Sequence, residues 1–112
     1  MKKHVLVVGA GIIGASIALN LTRLGCRVTV VDTAADPGGL ATANSFAWIN
    51  ASWGNPEHYF HFRRRSMQGW KRLAETVDGL FVDWCGGLMW DLPRDGLEAY
   101  AEEHGRWGYG IR

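Results

Sequence analysis

The stretch that decides the fold is Val7-Val8-Gly9-Ala10-Gly11-Ile12-Ile13-Gly14. Val7 and Val8 end an apolar run that begins at Val5. Such a run is typical of a parallel strand buried on both faces. Gly9 permits a tight turn, Gly11 lacks the Cβ that would block a pyrophosphate, and Gly14 lets the next helix pack closely on the sheet. That helix begins with unpaired N–H groups and the positive end of its dipole. The spacing therefore predicts a turn that binds a dinucleotide, with these candidate residues: Gly9, Ala10, Gly11, Ile12, Ile13 and Gly14.

The residues that follow complete a strand, helix and strand unit. Apolar residues at helical spacing predict a helix from Ile12 to Leu24, and Gly25 stands where a left-handed residue commonly ends a helix. Arg27 to Val31 is a second β-branched run. A right-handed crossover between the two runs makes the strands parallel. The predicted fold class is therefore α/β, with a Rossmann-type βαβ unit of the kind that binds FAD or NAD(P).

An acidic residue, Asp32, follows the second strand directly. A carboxylate at this position is placed to accept hydrogen bonds from the ribose hydroxyls of the adenosine. It also disfavours a 2′-phosphate, so NADP is a poor fit. The glycine turn and the acid together leave both FAD and NAD open as the cofactor.

The rest of the sequence predicts a loop, a long helix and a less regular end. Residues 36–39 form a turn cluster and residues 41–52 a loop. Tyr59, Phe62, Ser66, Trp70, Leu73 and Val77 recur at helical spacing. Short strands and a turn are expected between Phe81 and Leu92, and a last helix from Gly96 to Glu103 with Asp95 as its cap. The sequence therefore divides into three segments: residues 1–55, residues 56–80 with the long helix, and residues 81–112.

The composition indicates which kinds of partner and which cellular compartment to expect. Twelve Lys and Arg stand against eleven Asp and Glu, a net charge of +1 that favours a small ligand over nucleic acid. No run reaches the ~20 apolar residues that a membrane span needs. Cys26 and Cys85 have no metal or redox spacing and are expected to be free and buried in a cytoplasmic protein. His58 and His61 have no Cys or further His near them in sequence, so we expect no metal site there. We interpret Arg63-Arg64-Arg65 as a solvated helix face.

A resemblance narrows the choice of cofactor. The stretch Gly38-Gly39-Leu40-Ala41-Thr42-Ala43-Asn44-Ser45-Phe46-Ala47 resembles the flavin-contacting segment of the D-amino acid oxidase family, which includes glycine oxidase, sarcosine oxidase and D-amino acid dehydrogenases. The resemblance covers residues 3–52 well and continues more loosely to Trp90. It implies FAD as the cofactor, with Thr42, Asn44 and Ser45 near the phosphates and the flavin edge. It also implies that residues 1–55 bind FAD and contact the flavin, and that residues 81–112 are the start of a truncated substrate domain. The alternative is a hydroxyl-rich loop whose side chains bond their own backbone.

The same resemblance implies a function. The chain is expected to be the N-terminal FAD-binding part of a flavin-dependent oxidoreductase that acts on amines or amino acids, with hydride transfer from the substrate C–N bond to the flavin. Intact enzymes of the family are roughly three times longer, so we expect these residues alone to bind FAD weakly or not at all and to show exposed apolar surface, which makes activity of the isolated chain doubtful. No catalytic side chain is assigned. The alternatives are a fragment of an NAD-dependent dehydrogenase, or a noncatalytic truncated product or subunit completed by a partner chain.

Overall fold

The computed structural model describes residues 3–52 and 54–111 of the chain. The elements follow in the order β1 (His4–Val8), α1 (Ile12–Arg23), β2 (Arg27–Val31), α2 (Glu57–Ala74) and α3 (Arg94–Arg106). They fall into two compact units, Met1–Trp48 and Ile49–Arg112. The first unit is a strand, helix and strand arrangement with a parallel sheet, which confirms the predicted fold class.

The first unit follows the sequence prediction closely. β1 and β2 pair in parallel, in a register that runs from His4 opposite Arg27 to Val8 opposite Val31. α1 connects the two strands and packs against both of them. Its first residue is the predicted one, and it ends one residue before the predicted end, followed by Gly25 in the left-handed region with a φ of 81°. The local signals of turn, helix and stop therefore set the boundaries of this unit.

The two faces of the β1–β2 sheet differ in burial. Val7 is only 8% exposed, because α1 lies on its side of the sheet. Leu6 and Val8 point to the opposite face and are 60% and 79% exposed. The expectation that β1 is buried on both faces is therefore wrong, since α1 covers one face of the strand only. The expected exposure of apolar surface is confirmed.

The second unit is built around an aromatic cluster. The Phe60 side chain is fully buried, and its ring centroid lies 5.5 Å from that of His104, 5.1 Å from that of Trp107 and 5.6 Å from that of Tyr109. His104 is 2% exposed, and one of its ring nitrogens, Nδ1, lies 3.1 Å from the carbonyl oxygen of Tyr100. The cluster thus joins α2 to α3 and to the residues that follow α3.

The predicted face of α2 is partly wrong. Tyr59 and Phe62 are 45% and 64% exposed, although the spacing placed them on the apolar face. The buried residue of this helix is Phe60 instead. Trp70, Leu73 and Val77, from the same predicted face, are half-buried. Phe60 is buried because Trp107 and Tyr109 pack on it.

Other boundaries of the second unit also differ from prediction. α3 begins at Arg94, its N-cap is Pro93, and it continues through Gly105 to Arg106. Asp95 is not the cap; it lies in the first turn, where an acidic side chain suits the helix dipole. The short strands expected between Phe81 and Leu92 are absent, since residues 80–90 form neither helix nor strand. An extended segment needs a neighbouring strand to satisfy its backbone, and none pairs with these residues in the described part of the chain.

Candidate dinucleotide-binding site

The glycine turn has the geometry that its sequence predicts. Gly9 has a φ of 103°, which favours glycine, and its N–H donates to the Val31 carbonyl at 2.7 Å. A Cβ added to Gly14 would lie 1.8 Å from the carbonyl oxygen of Gly9 and 2.9 Å from its carbonyl carbon. The helix therefore approaches the turn so closely that only glycine fits at residue 14.

Asp32 is fixed at the end of β2 by two backbone amides. Its Oδ2 accepts a hydrogen bond from the Ala10 N–H at 2.5 Å, and its Oδ1 accepts one from the Ala34 N–H at 2.8 Å. The first of these bonds ties the acid directly to the glycine turn. Each carboxylate oxygen can accept a further bond, so Asp32 remains able to receive hydroxyl donors.

The same hydrogen bonds set the charge of this group. The amides of Ala10 and Ala34 favour the carboxylate and lower the pKa of Asp32 below its ordinary value of 3.8. Since the pKa is lowered in the folded state, the stabilisation is fully present above about 3.8 and is lost as the pH falls through the folded pKa.

A carboxyl titration tests this charge state. We expect the ¹³C resonance of the Asp32 carboxyl to titrate with a midpoint below 3.8, because the Ala10 and Ala34 N–H groups bind the carboxylate more strongly than the protonated carboxyl. Asp36, an exposed acid in the same unit, serves as the internal reference in the same spectra. A midpoint for Asp32 at or above 3.8 would contradict the arrangement.

Thr42 meets the N-terminus of α1. Its Oγ1 accepts a hydrogen bond from the Ile12 N–H at 3.0 Å, and a Cβ on Gly11 would lie 3.1 Å from that oxygen. The Gly38 N–H donates to the Ala10 carbonyl at 3.0 Å, which fixes the turn that carries Thr42. The loop after β2 is thus held against the glycine turn by two hydrogen bonds.

These groups surround one cavity of about 170 Å³. Its lining consists of Gly11, Asp32, Gly38, Gly39, Leu40, Ala41 and Thr42. α1 has no acidic residue in its first turn, so no carboxylate on that turn competes for its N–H groups. The absent Cβ of Gly11, the N-terminus of α1 and the acid at the strand end together suit a nucleotide with a pyrophosphate and a ribose.

Of the ten predicted site residues, only Gly11, Asp32 and Thr42 line this cavity. Gly9, Ala10, Ile12, Ile13 and Gly14 belong to the adjoining turn and helix start, whereas Asn44 and Ser45 lie further along the loop. Asn44 donates from Nδ2 to the Leu40 carbonyl at 2.8 Å, and the Ser45 Oγ accepts from the Ala47 N–H at 3.0 Å. Both side chains thus bond nearby backbone, as the alternative for this loop expected. Four lining residues, 38–41, were not singled out as binding residues from the sequence. Their signal was available, since a Gly-rich turn directly after the second strand lies at the carboxyl edge of the sheet.

The structure also tests the expectations for metal ligands, membrane spans, cysteines and the arginine triplet. In residues 3–52 and 54–111, no three side chains of the metal-binding types come together, and no helix is long and apolar enough to cross a membrane. Both cysteines are free, but neither is buried as expected: Cys26 is half-buried and Cys85 is exposed. Arg63 and Arg64 are half-buried and hydrogen-bonded, so the solvated face predicted for the arginine triplet is found only at Arg65.

Comparisons with known proteins agree with the geometry. The model of the FAD dependent oxidoreductase family, DAO, matches residues 4–112. The uncharacterized oxidoreductase YurR of Bacillus subtilis (strain 168) is 35% identical over 94 residues, which cover 84% of this chain and 21% of that protein. An opine oxidase subunit of Agrobacterium tumefaciens (strain Ach5) is 30% identical over 104 residues, which cover 87% of this chain and 28% of that protein.

A shorter match falls on a third relative. All-trans-zeta-carotene desaturase of Myxococcus xanthus is 60% identical over 37 residues, which cover 33% of this chain and 7% of that protein. No solved structure gives a significant match. The chain thus spans less than a third of the length of each of these three relatives.

Proposed function

This chain belongs to the family of FAD dependent oxidoreductases, and from that premise we propose that it is the FAD-binding part of an enzyme that oxidises amines or amino acids. One observation carries the proposal: the glycine turn, Asp32 and Thr42 border a single cavity at the carboxyl edge of the sheet. Bound FAD would supply the acceptor for the hydride that leaves the carbon atom of the substrate C–N bond, which is thereby oxidised to an imine. The residues of this chain bind and orient that cofactor.

Each part of the proposed site has one task. The N–H groups of Gly11 and Ile13 and the positive end of α1 hold the pyrophosphate, since the Ile12 N–H is already bonded to Thr42. Asp32 accepts hydrogen bonds from the ribose hydroxyls, while the hydrogen bonds from the Ala10 and Ala34 N–H groups keep its carboxyl ionised. The Thr42 hydroxyl can donate its own hydrogen, since it already accepts from the Ile12 N–H. The proposed order along the site is therefore ribose at Asp32 and phosphates between α1 and Thr42.

The substrate class is supported by the stretch from Gly38 to Ala47 and by one relative. That stretch resembles the D-amino acid oxidase family, and a protein 30% identical to the chain is named as an oxidase subunit. The family description names FAD, which favours a flavin enzyme over the NAD-dependent alternative.

A second candidate is one component of a larger enzyme, completed by a partner chain. It is favoured by the relative that is named as part of an opine oxidase and by the exposed apolar residues Leu6 and Val8 of the sheet. On this proposal the chain still binds FAD, and the partner supplies the substrate residues. Analytical ultracentrifugation of the protein as its host makes it would separate the two candidates by the presence of a second chain.

Substrate bleaching of the flavin tests the proposed reaction. The protein, expressed with any reading frame that continues it, is loaded with FAD and mixed without oxygen with a panel of amines and amino acids. We expect at least one of these compounds to bleach the visible absorbance of oxidised flavin. Bleaching by NADH or NADPH alone, with none by the panel, would contradict the proposed substrate class.

Replacement of Thr42 tests the phosphate contact. Thr42→Val keeps the shape of the side chain but removes the oxygen that accepts from Ile12, so we expect FAD to bind about five- to tenfold more weakly. Fluorescence titration of FAD measures the change. Thr42→Ser is the matched control, because it keeps the hydroxyl and should bind within about twofold of wild type. Equal affinities for Thr42→Val and wild type would remove Thr42 from the site.

A further inference from the structure

Residues 39–46, which follow the first turn after β2, form a compact piece that we call the strap. The Ala43 N–H donates to the Gly38 carbonyl at 2.9 Å, and the Asn44 backbone N–H donates to the Leu40 carbonyl at 3.2 Å. The Asn44 side chain donates to the same Leu40 carbonyl at 2.8 Å. All residues of the strap are exposed, so no buried side chain anchors it to the sheet. The strap can therefore move as a unit and keep its internal hydrogen bonds.

A residue in the left-handed region stands at each end of the strap. Gly38, directly before it, has a φ of 73°, and Ala47, directly after it, has a φ of 54°. The Gly38 N–H donates to the Ala10 carbonyl at 3.0 Å and fixes the base on which the strap turns. Rotation about the N–Cα bond of Gly38 moves the strap but leaves this anchoring hydrogen bond in place. Gly38 is thus built as a hinge.

The Thr42 side chain holds the strap closed over the glycine turn. Its Oγ1 accepts a hydrogen bond from the Ile12 N–H at 3.0 Å. Ile12 is the first residue of α1, so its N–H has no acceptor within the helix. The hydrogen exchange of this one amide therefore reports whether the strap is closed.

The closed strap leaves little room beneath it. The cavity has a volume of about 170 Å³, and residues 39–42 of the strap form much of its lining. Sites for small-molecule ligands and cofactors measure roughly 300–1,000 Å³. A dinucleotide therefore needs a wider cavity, and the exposed strap is the part of the lining that is free to move outwards.

We propose that the strap opens about Gly38 to admit the ADP part of FAD and closes again when Thr42 bonds to Ile12. The proposal rests on the proposed function, since it takes FAD as the ligand beneath the strap. The hinge and the Thr42 bond then control how fast the cofactor enters and leaves. Thr42 thus has a second task besides its phosphate contact.

Hydrogen exchange of the full chain, followed by amide NMR, tests the motion without cofactor. Gly38→Ala puts a Cβ on a left-handed residue, which disfavours the closed hinge and removes no polar atom. The Ile12 amide should then exchange about tenfold faster, while the Ala43 amide, bonded within the strap, keeps its wild-type rate. The matched control is Gly25→Ala, which introduces the same strain after α1 and should leave Ile12 unchanged. An unchanged Ile12 rate in Gly38→Ala, or equal acceleration of Ile12 and Ala43, would overturn the moving strap.

Stopped-flow mixing with FAD, followed by flavin fluorescence, tests the consequence for the cofactor. Gly38→Ala should associate with FAD about tenfold faster than wild type, because more of the protein is open, and Gly25→Ala should match wild type. Association of Gly38→Ala at the wild-type rate or slower would overturn the role of the strap in cofactor entry. If wild type takes up no FAD, the proposed function fails and this role with it, whereas the Ile12 exchange still decides whether the strap moves.

Discussion

Gly14→Ala is expected to abolish FAD binding and to destabilise the first unit by about 3 kcal/mol or more. The added Cβ would lie 1.8 Å from the Gly9 carbonyl oxygen, and that atom is backbone in a turn already fixed by its own hydrogen bond to Val31. The helix and the turn must therefore separate. Their separation removes the helix N–H groups from the place where the pyrophosphate binds.

Thermal or urea unfolding followed by circular dichroism measures the loss of stability, and fluorescence titration of FAD measures the loss of binding. The matched control is Gly105→Ala, which also replaces a helical glycine but meets no atom within 4 Å. That change should be neutral or stabilise the chain by roughly 0.5–1 kcal/mol. A Gly14→Ala protein as stable as wild type, with the same affinity for FAD, would show that the close approach of helix and turn has no role.

Asp32→Asn has the second largest expected effect, a loss of about 10- to 100-fold in FAD affinity. The carboxylate accepts the Ala10 and Ala34 N–H groups with different oxygens. An asparagine amide has only one oxygen, so its NH₂ group would face one of these donors and the glycine turn would lose a contact. The ribose hydroxyls would lose a charged acceptor at the same time.

The measurement is again an FAD titration, with ADP titrated in parallel. ADP carries the ribose and pyrophosphate without the flavin, so both ligands should weaken by a similar factor. Asp36→Asn provides the control, because it makes the same change of charge on an exposed residue of the same unit. If Asp36→Asn weakens FAD as much as Asp32→Asn does, the effect is one of net charge and not of the site.

The first unit could be predicted from the sequence because its signals are local. The glycine spacing, the helical stripe and Gly25 all lie within a few residues of the structure they specify, and β2 begins and ends where predicted. The place of Asp32 followed from the same pattern. Its bond to Ala10 could not be predicted, since it depends on the way the turn and the strand end approach each other.

The second unit depends on contacts between distant residues, and prediction was weaker there. Phe60 is buried because Trp107 and Tyr109 pack on it from the far end of the sequence, and helical spacing carries no information about such partners. The half-buried position of Arg63 was not predicted for the same reason. Its hydrogen-bond acceptors lie 11 and 13 residues earlier, on a loop with no periodic pattern. Residues 38–41 line the cavity because the Gly38 N–H donates to the Ala10 carbonyl and so holds their turn against the glycine turn.

The central claim is that Gly9 to Gly14, Asp32 and Thr42 hold the ADP part of FAD, and amide NMR of the ¹⁵N-labelled chain tests it most directly. Titration with FAD, and separately with ADP, should shift the amides of residues 9–14, 34 and 42 most strongly, even where binding is weak. NADP should shift them less, because its 2′-phosphate meets the Asp32 carboxylate. No shifts at millimolar FAD, shifts confined to α2 and α3, or binding of NADP as strong as that of FAD would contradict the account.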